Sequence, residues 1–295
     1  MKLSHIFLIF FVVAVWGINF VFIAIGLTEL PPILLCAARF FVVSIPAVFF
    51  FKFPQVPFRW VILYSLVMFV LQFALMFTGM HVGMPAGLSS ILLQVQAFFS
   101  LFFAKAILKE TIERKQMLGA CVSFAGIFLI GWNLKMGASM LGFMLVLAAA
   151  LTWGLGSITV KKMGKVQSGS LLVWSSLIAW PVLLGLSLCV ENSFPLVCNL
   201  HTLAPATYGA ILFIALGSTA FAFGTWNHLL QIYPLATVAP FTLLVPIFGM
   251  LSSMLVLGEA LEPWKIIACL LVISGLCINL VSAKQKAAAK SLYQK

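Results

Sequence analysis

Residues 84–126 read MPAGLSSILLQVQAFFSLFFAKAILKETIERKQMLGACVSFAG, and the pattern returns at residues 233–275 as YPLATVAPFTLLVPIFGMLSSMLVLGEALEPWKIIACLLVISG. The two stretches align without a gap at a shift of 149 residues. Pro85 meets Pro234, Phe99 meets Phe248, Leu108 meets Leu257, Glu110 meets Glu259, Glu113 meets Glu262 and Gly126 meets Gly275. Each copy is an apolar run of helix length, a short charged turn with Glu-x-x-Glu, and a second apolar run. Self-similarity at a fixed distance marks two copies of one unit, and paired membrane units build their site where they meet.

Working outward, the 295 residues are 63% hydrophobic and only 8% charged, too few charges to cover a water-soluble surface. Lipid is therefore the solvent for most side chains. Hydropathy gives ten candidate spans: 3–27, 32–51, 59–80, 86–108, 115–131, 140–163, 170–190, 206–231, 236–258 and 264–282. Most reach the ~20 apolar residues that cross ~30 Å of hydrocarbon. The expected fold is all-α, with ten transmembrane helices in two five-helix halves, 3–131 and 140–282, and a basic cytoplasmic tail at 283–295. The first span continues through Trp16–Gly17–Ile18–Asn19–Phe20 with no small-residue cleavage site, so it reads as a span and not as a signal peptide.

Lys and Arg set the expected orientation. With the N-terminus inside, the inner loops and ends hold fourteen of them, and the outer loops hold only Lys135 and Lys265. That bias places both termini in the cytoplasm. The net charge of +11 follows from this asymmetry and from contact with anionic lipid, so nucleic acid is not an expected partner. Five spans per half is an odd number, which inverts the second half relative to the first. Inverted halves make a carrier with a central site that opens by rocking. The six cysteines form no metal or redox motif; Cys189 and Cys198 flank the longest outer loop, either as a disulfide or as unlinked thiols.

Polar residues inside spans are the candidate site. Trp16, Gly17 and Asn19 lie near the middle of the first span, and Trp153 and Gly154 lie in its counterpart, the sixth. They read either as a substrate-lining ring or as helix packing, since Gly beside Trp admits a neighbouring helix or a ligand to the backbone. Arg39 in the second span is the fully charged side chain set inside a span, at a cost of about 3 kcal/mol on insertion scales. It reads as a carboxylate clamp or as a structural Arg bonding helix-end carbonyls near Glu29. Gln72, Gln94 and Gln96 must face protein or a cavity. Gln94 and Gln96, two apart on a helix, are not expected to point the same way, so at most one should line a site. Pro240 and Pro246 interrupt the ninth span and free carbonyls. Small residues in the fifth and tenth spans (Gly119, Ser123 and Gly126; Ala268, Ser274 and Gly275) suit close packing against another helix.

Several chemistries lack their residues. The chain has no Asp, and its six Glu all fall in turns or at span ends. There is no phosphate loop, carboxylate pair or His cluster, so no metal or cofactor is expected and an integral-membrane enzyme has no catalytic constellation. A channel lacks a charged ring. With no carboxylate at membrane depth, proton coupling would fall to His81 at an outer turn or His228 near the inner face; His228 also reads as an interfacial anchor.

Trp-Gly in the first span of each half, Ala-Arg-Phe at 38–40 and the Leu-x-Glu turns after the fourth and ninth spans resemble the drug/metabolite transporter superfamily, EamA branch. The resemblance covers essentially the whole chain. WGINF (16–20), MPAGLSSILLQVQAFF (84–99), MLGFMLVLAAA (140–150) and LLVPIFG (243–249) are similar to the subgroup that exports cysteine and O-acetylserine. The resemblance implies an inner-membrane carrier whose cavity is lined by Trp16, Asn19, Gln72, Gln94, Gln96 and Trp153, with homodimer contacts through the fifth and tenth spans. It implies export of small amino-acid-like metabolites by alternating access; uptake is the alternative. Lys109 stands where the family often has Gly, and Ala24 where the close exporter has Lys.

Overall fold

The computed structural model describes residues 1–134, 140–233 and 235–292, and of residues 235–236 and 282–292 the backbone alone. Lys135, Pro234 and the side chains of the basic tail therefore lie outside the described residues. Among the described residues there is helix and no strand. Nine helices among the described residues are long and apolar enough to cross a membrane: α1 Leu3–Gly26, α3 Phe58–His81, α4 Ala86–Leu108, α5 Arg114–Asn133, α6 Met140–Met163, α7 Ser168–Val190, α8 Pro205–Ile232, α9 Ala239–Leu257 and the apolar part of α10, Pro263–Val281. The shorter apolar helix α2 is Pro32–Ala47. It stops short of the expected 32–51 because Pro46 removes a donor from its last turn; Val48 to Phe50 continue as a turn.

Four helices are irregular, at matching places. Ser65–Leu71 in α3 and Phe213–Phe221 in α8 are π-helical. Leu93–Val95 in α4 and Ala239–Leu244 at the start of α9 are 3₁₀. The α-helical remainders, Gln96–Leu108 and Val245–Leu257, sit 149 residues apart at both ends. Each is closed by a left-handed residue, Lys109 at φ 58° and Gly258 at φ 69°. The backbone there asks for glycine, and Lys109 adopts the conformation at a cost of about 1–2 kcal/mol.

The most extensive packing joins helices from opposite halves of the chain. α5 lies on α10, α2 on α7, α1 on α8 and α9, α6 on α3 and α4, and α4 on α9. Exchanging α1–α5 for α6–α10 returns the same set of pairs. Small residues permit the tightest approaches. A Cβ on Gly17 would stand 2.4 Å from Phe248 Cβ, and one on Gly154 would stand 2.9 Å from Phe99 Cβ. The glycines beside Trp16 and Trp153 thus seat the two phenylalanines that the sequence repeat pairs. In α5 and α10 the small faces meet each other within the chain: a Cβ on Gly119 would lie 2.5 Å from Gly275 O, and Ser123 Oγ donates to Val272 O at 3.0 Å. Leu118, Phe128 and Trp132 on α5, and Ile267 and Leu270 on α10, point outward.

Three carboxylates tie the halves together at the α1–α2, α7–α8 and α9–α10 connections. Glu29 accepts from Ala204 N at 3.0 Å and from the Thr207 hydroxyl, at the start of α8. Glu191 accepts from Ile33 N at 2.8 Å and Leu34 N at 3.1 Å, at the start of α2. Glu259 accepts from Ala86 N at 2.8 Å and Gly87 N at 3.2 Å, at the start of α4. Each satisfies amides that the first helical turn leaves unpaired and places negative charge at the positive end of the helix dipole. Just past the other end of α4, Glu110 forms an exposed ion pair with Lys161 of α6.

Candidate functional site

A cavity of about 360 Å³ lies between the halves, lined from α1, α2, α3, α4, α6, α8, α9 and α10. Trp16, Asn19, Arg39, Gln72, Gln94, Gln96 and Trp153 all line it. His81 and His228 do not; both are exposed, at the end of α3 and on the outside of α8.

The irregular helix segments set the polar geometry. A π turn offsets carbonyls from their usual donors. Trp16 Nε1 donates to Ser218 O in the α8 π segment at 3.2 Å. Thr219 Oγ1 donates to Ile214 O, five residues back, at 2.7 Å, and accepts from Arg39 Nε at 2.8 Å. Arg39 is 2% exposed, with its guanidinium carbon 4.3 Å from the centroid of Phe73. Glu29 is engaged with α8 instead of Arg39, and Arg39 Nε bonds a hydroxyl and not helix-end carbonyls. No carboxylate bonds Arg39 among the described residues.

Gln94 and Gln96 both line the cavity, contrary to the expectation that at most one would. The 3₁₀ turn Leu93–Val95 is the reason. A 3₁₀ helix advances about 120° per residue instead of about 100°, which brings residues two apart nearer to one side. Gln94 Nε2 donates to Thr242 O at 2.8 Å, joining the 3₁₀ segments of α4 and α9 across the halves.

Several buried polar atoms in this wall have no hydrogen-bond partner: Arg39 Nη1, Asn19 Oδ1, Gln72 Oε1, Gln96 Oε1 and Asn279 Oδ1. Leaving such a group unpaired costs about 1–3 kcal/mol, so a cluster of them around one cavity makes it a candidate site for a polar ligand. The cluster offers one cationic donor and four neutral acceptors. Sequence reading missed Asn279, Thr219, Ser218, Trp226 and Thr242; Ser218 and Thr219 were visible as polar residues at mid-span, but Asn279 lay in a span that reads as otherwise apolar.

A second cavity of about 200 Å³ adjoins the first, sharing Arg39, Phe73, Trp153 and Phe223. Both cavities extend along α8 toward Trp226 and Asn227, away from the end held by Glu29, Glu191 and Glu259. Cys189 and Cys198 are free and exposed.

The model of the EamA-like transporter family matches residues 3–132 and again 140–281. The chain belongs to this family. Relatives in the family's range include a probable amino-acid metabolite efflux pump of Salmonella typhimurium, 38% identical over 290 residues that cover 96% of this chain and 97% of that protein. A protein of the same description from Escherichia coli is 36% identical over 285 residues, 95% of each chain. A solved crystal structure superposes with TM-score 0.65 at 17% identity, covering 97% of this chain and 99% of the other, and so shares the fold. Membership makes this EamA chain a multi-pass membrane transporter.

Proposed function

We propose that the chain exports small amino-acid-like metabolites, such as cysteine or O-acetylserine, across the inner membrane by alternating access. One observation carries the reading: a buried guanidinium without a carboxylate partner shares a cavity with unpaired amide oxygens from both halves. Arg39 suits a substrate carboxylate and the amide oxygens suit an ammonium group, which together describe a zwitterion. The names of the relatives agree with that class.

Alternating access rests on two inverted halves, 3–131 and 140–282, a reading supported by the twofold family match and the exchange-symmetric packing. The orientation with both termini cytoplasmic makes the carboxylate-tied end the outer one and the cavities open to the cytoplasm, where an exporter collects its substrate. A homodimer through α5 and α10 would use their outward faces, since their small faces are already joined. Reconstituted transport in inside-out and right-side-out vesicles, with a panel of amino acids and their O-acyl derivatives, tests the proposal. Uptake into inside-out vesicles is expected; movement of the panel solely in the opposite sense would make the chain an importer.

A further inference from the structure

We propose that the 200 Å³ cavity is a side-chain subsite, in which an unbranched apolar substrate side chain lies among Tyr64, Met68, Phe69 and Leu172 while the carboxylate sits on Arg39. The inference rests on the amino-acid reading of the larger cavity and names which amino acids that cavity serves best. Arg39 borders both spaces. Its Nε is held by Thr219, and Nη1 is left without a partner. A carboxylate paired with that guanidinium has the amide oxygens of Asn19, Gln72 and Gln96 on one side and the second cavity on the other.

The second cavity differs in kind from the first. Its walls are aromatic and aliphatic, and Arg39 is the charged residue lining it; Thr219, Ser168 and Asn227 supply its polar rim. Such a wall rewards apolar surface and offers an ammonium group no carboxylate. Trp153 and Phe223, shared by the two spaces, form the waist through which a side chain passes.

The test uses the full chain in proteoliposomes and a ladder of unbranched 2-amino acids: alanine, 2-aminobutyrate, norvaline and norleucine. Removing each methylene from water into an apolar wall is worth about fourfold, so kcat/KM should climb about that much per step. Leu172→Trp fills the space and should cut the norleucine-to-alanine ratio about tenfold or more. Leu172→Ala widens it and should carry the climb one rung further, to 2-aminoheptanoate added to the ladder for this variant, a gain that poor folding cannot imitate. A flat ladder with the wild-type chain, or a Leu172→Trp variant that slows every rung alike as a blocked passage would, overturns the subsite and leaves the amino-acid reading standing. Transport of no amino acid at all by the wild-type chain overturns both.

Discussion

Arg39 holds its charge at 2% exposure, one nitrogen fixed by Thr219 and another unpaired. A hydrogen bond to a charged group in such a place is worth about 1.5–3 kcal/mol, so Arg39→Met should lower kcat/KM about 10- to 100-fold. Arg39→Lys should retain part of the activity, because the point charge survives and the planar fork does not. Transport measured against the folded amount in the membrane separates recognition from stability: a Met variant lost only in amount would make Arg39 a structural residue. Asn19→Leu is expected to weaken apparent affinity with insertion intact; wild-type transport would reduce Asn19 to packing. The sequence made Arg39 conspicuous because a charge inside an apolar span stands out. Its partner was hidden, since Thr219 lies 180 residues away and is ordinary by composition. Gln94 and Gln96 were misjudged for a related reason: an α-helical wheel fails where three residues wind as a 3₁₀ turn.

Among elements, the paired approaches of α1 to α9 and α6 to α4 set the tolerance for added atoms. Gly17→Ala and Gly154→Ala each push a methyl group into Phe248 or Phe99, and overpacking of this kind costs about 1–3 kcal/mol. Thermal unfolding in detergent should show both variants lowered, Gly17→Ala more so because its Cβ would come within 2.4 Å of Phe248 Cβ, against 2.9 Å from Phe99 Cβ for Gly154→Ala. The Trp-Gly pairs were legible as close-contact sites, whereas the phenylalanines they admit became known only from the packing. The Glu29 tie gives a pH dependence. The Thr207 hydroxyl, then the Ala204 amide, hold the Glu29 carboxyl below its usual range. A lowered carboxylate pKa favours the tied state above the ordinary value, and that advantage is lost as pH falls through the lowered one. Thermal stability in detergent should therefore fall in acid as pH drops through the lowered Glu29 value. Glu29→Gln should be less stable than the wild-type chain at neutral pH and should lose that part of the acid dependence.

For the whole molecule, the repeat in the sequence sets the expectation of a site where the halves meet, and the larger cavity is lined by residues of both. The energy source is expected to follow from what lines that cavity. The described lining residues include no carboxylate or histidine, so export is expected to follow the substrate gradient. An imposed pH gradient without a substrate gradient should produce no uphill accumulation, and accumulation that survives replacement of His81 and His228 by Gln would require another proton site. The orientation is checked by a reporter fused after Lys295, expected to be active only in the cytoplasm. One last dimension concerns the membrane itself. At 16 residues, α2 rises about 24 Å, less than the ~30 Å of a typical hydrocarbon core. Phe49 and Phe50, 82% and 84% exposed just past its end, extend its greasy length without extending its helix. A short span is accommodated by local thinning of the bilayer or by flanking residues that reach the interface, and mismatch of this kind costs fractions of a kcal/mol per ångström. Lipid chain length thus becomes a control on the carrier: thicker bilayers should strain α2 and slow turnover, and thinner ones should relieve it.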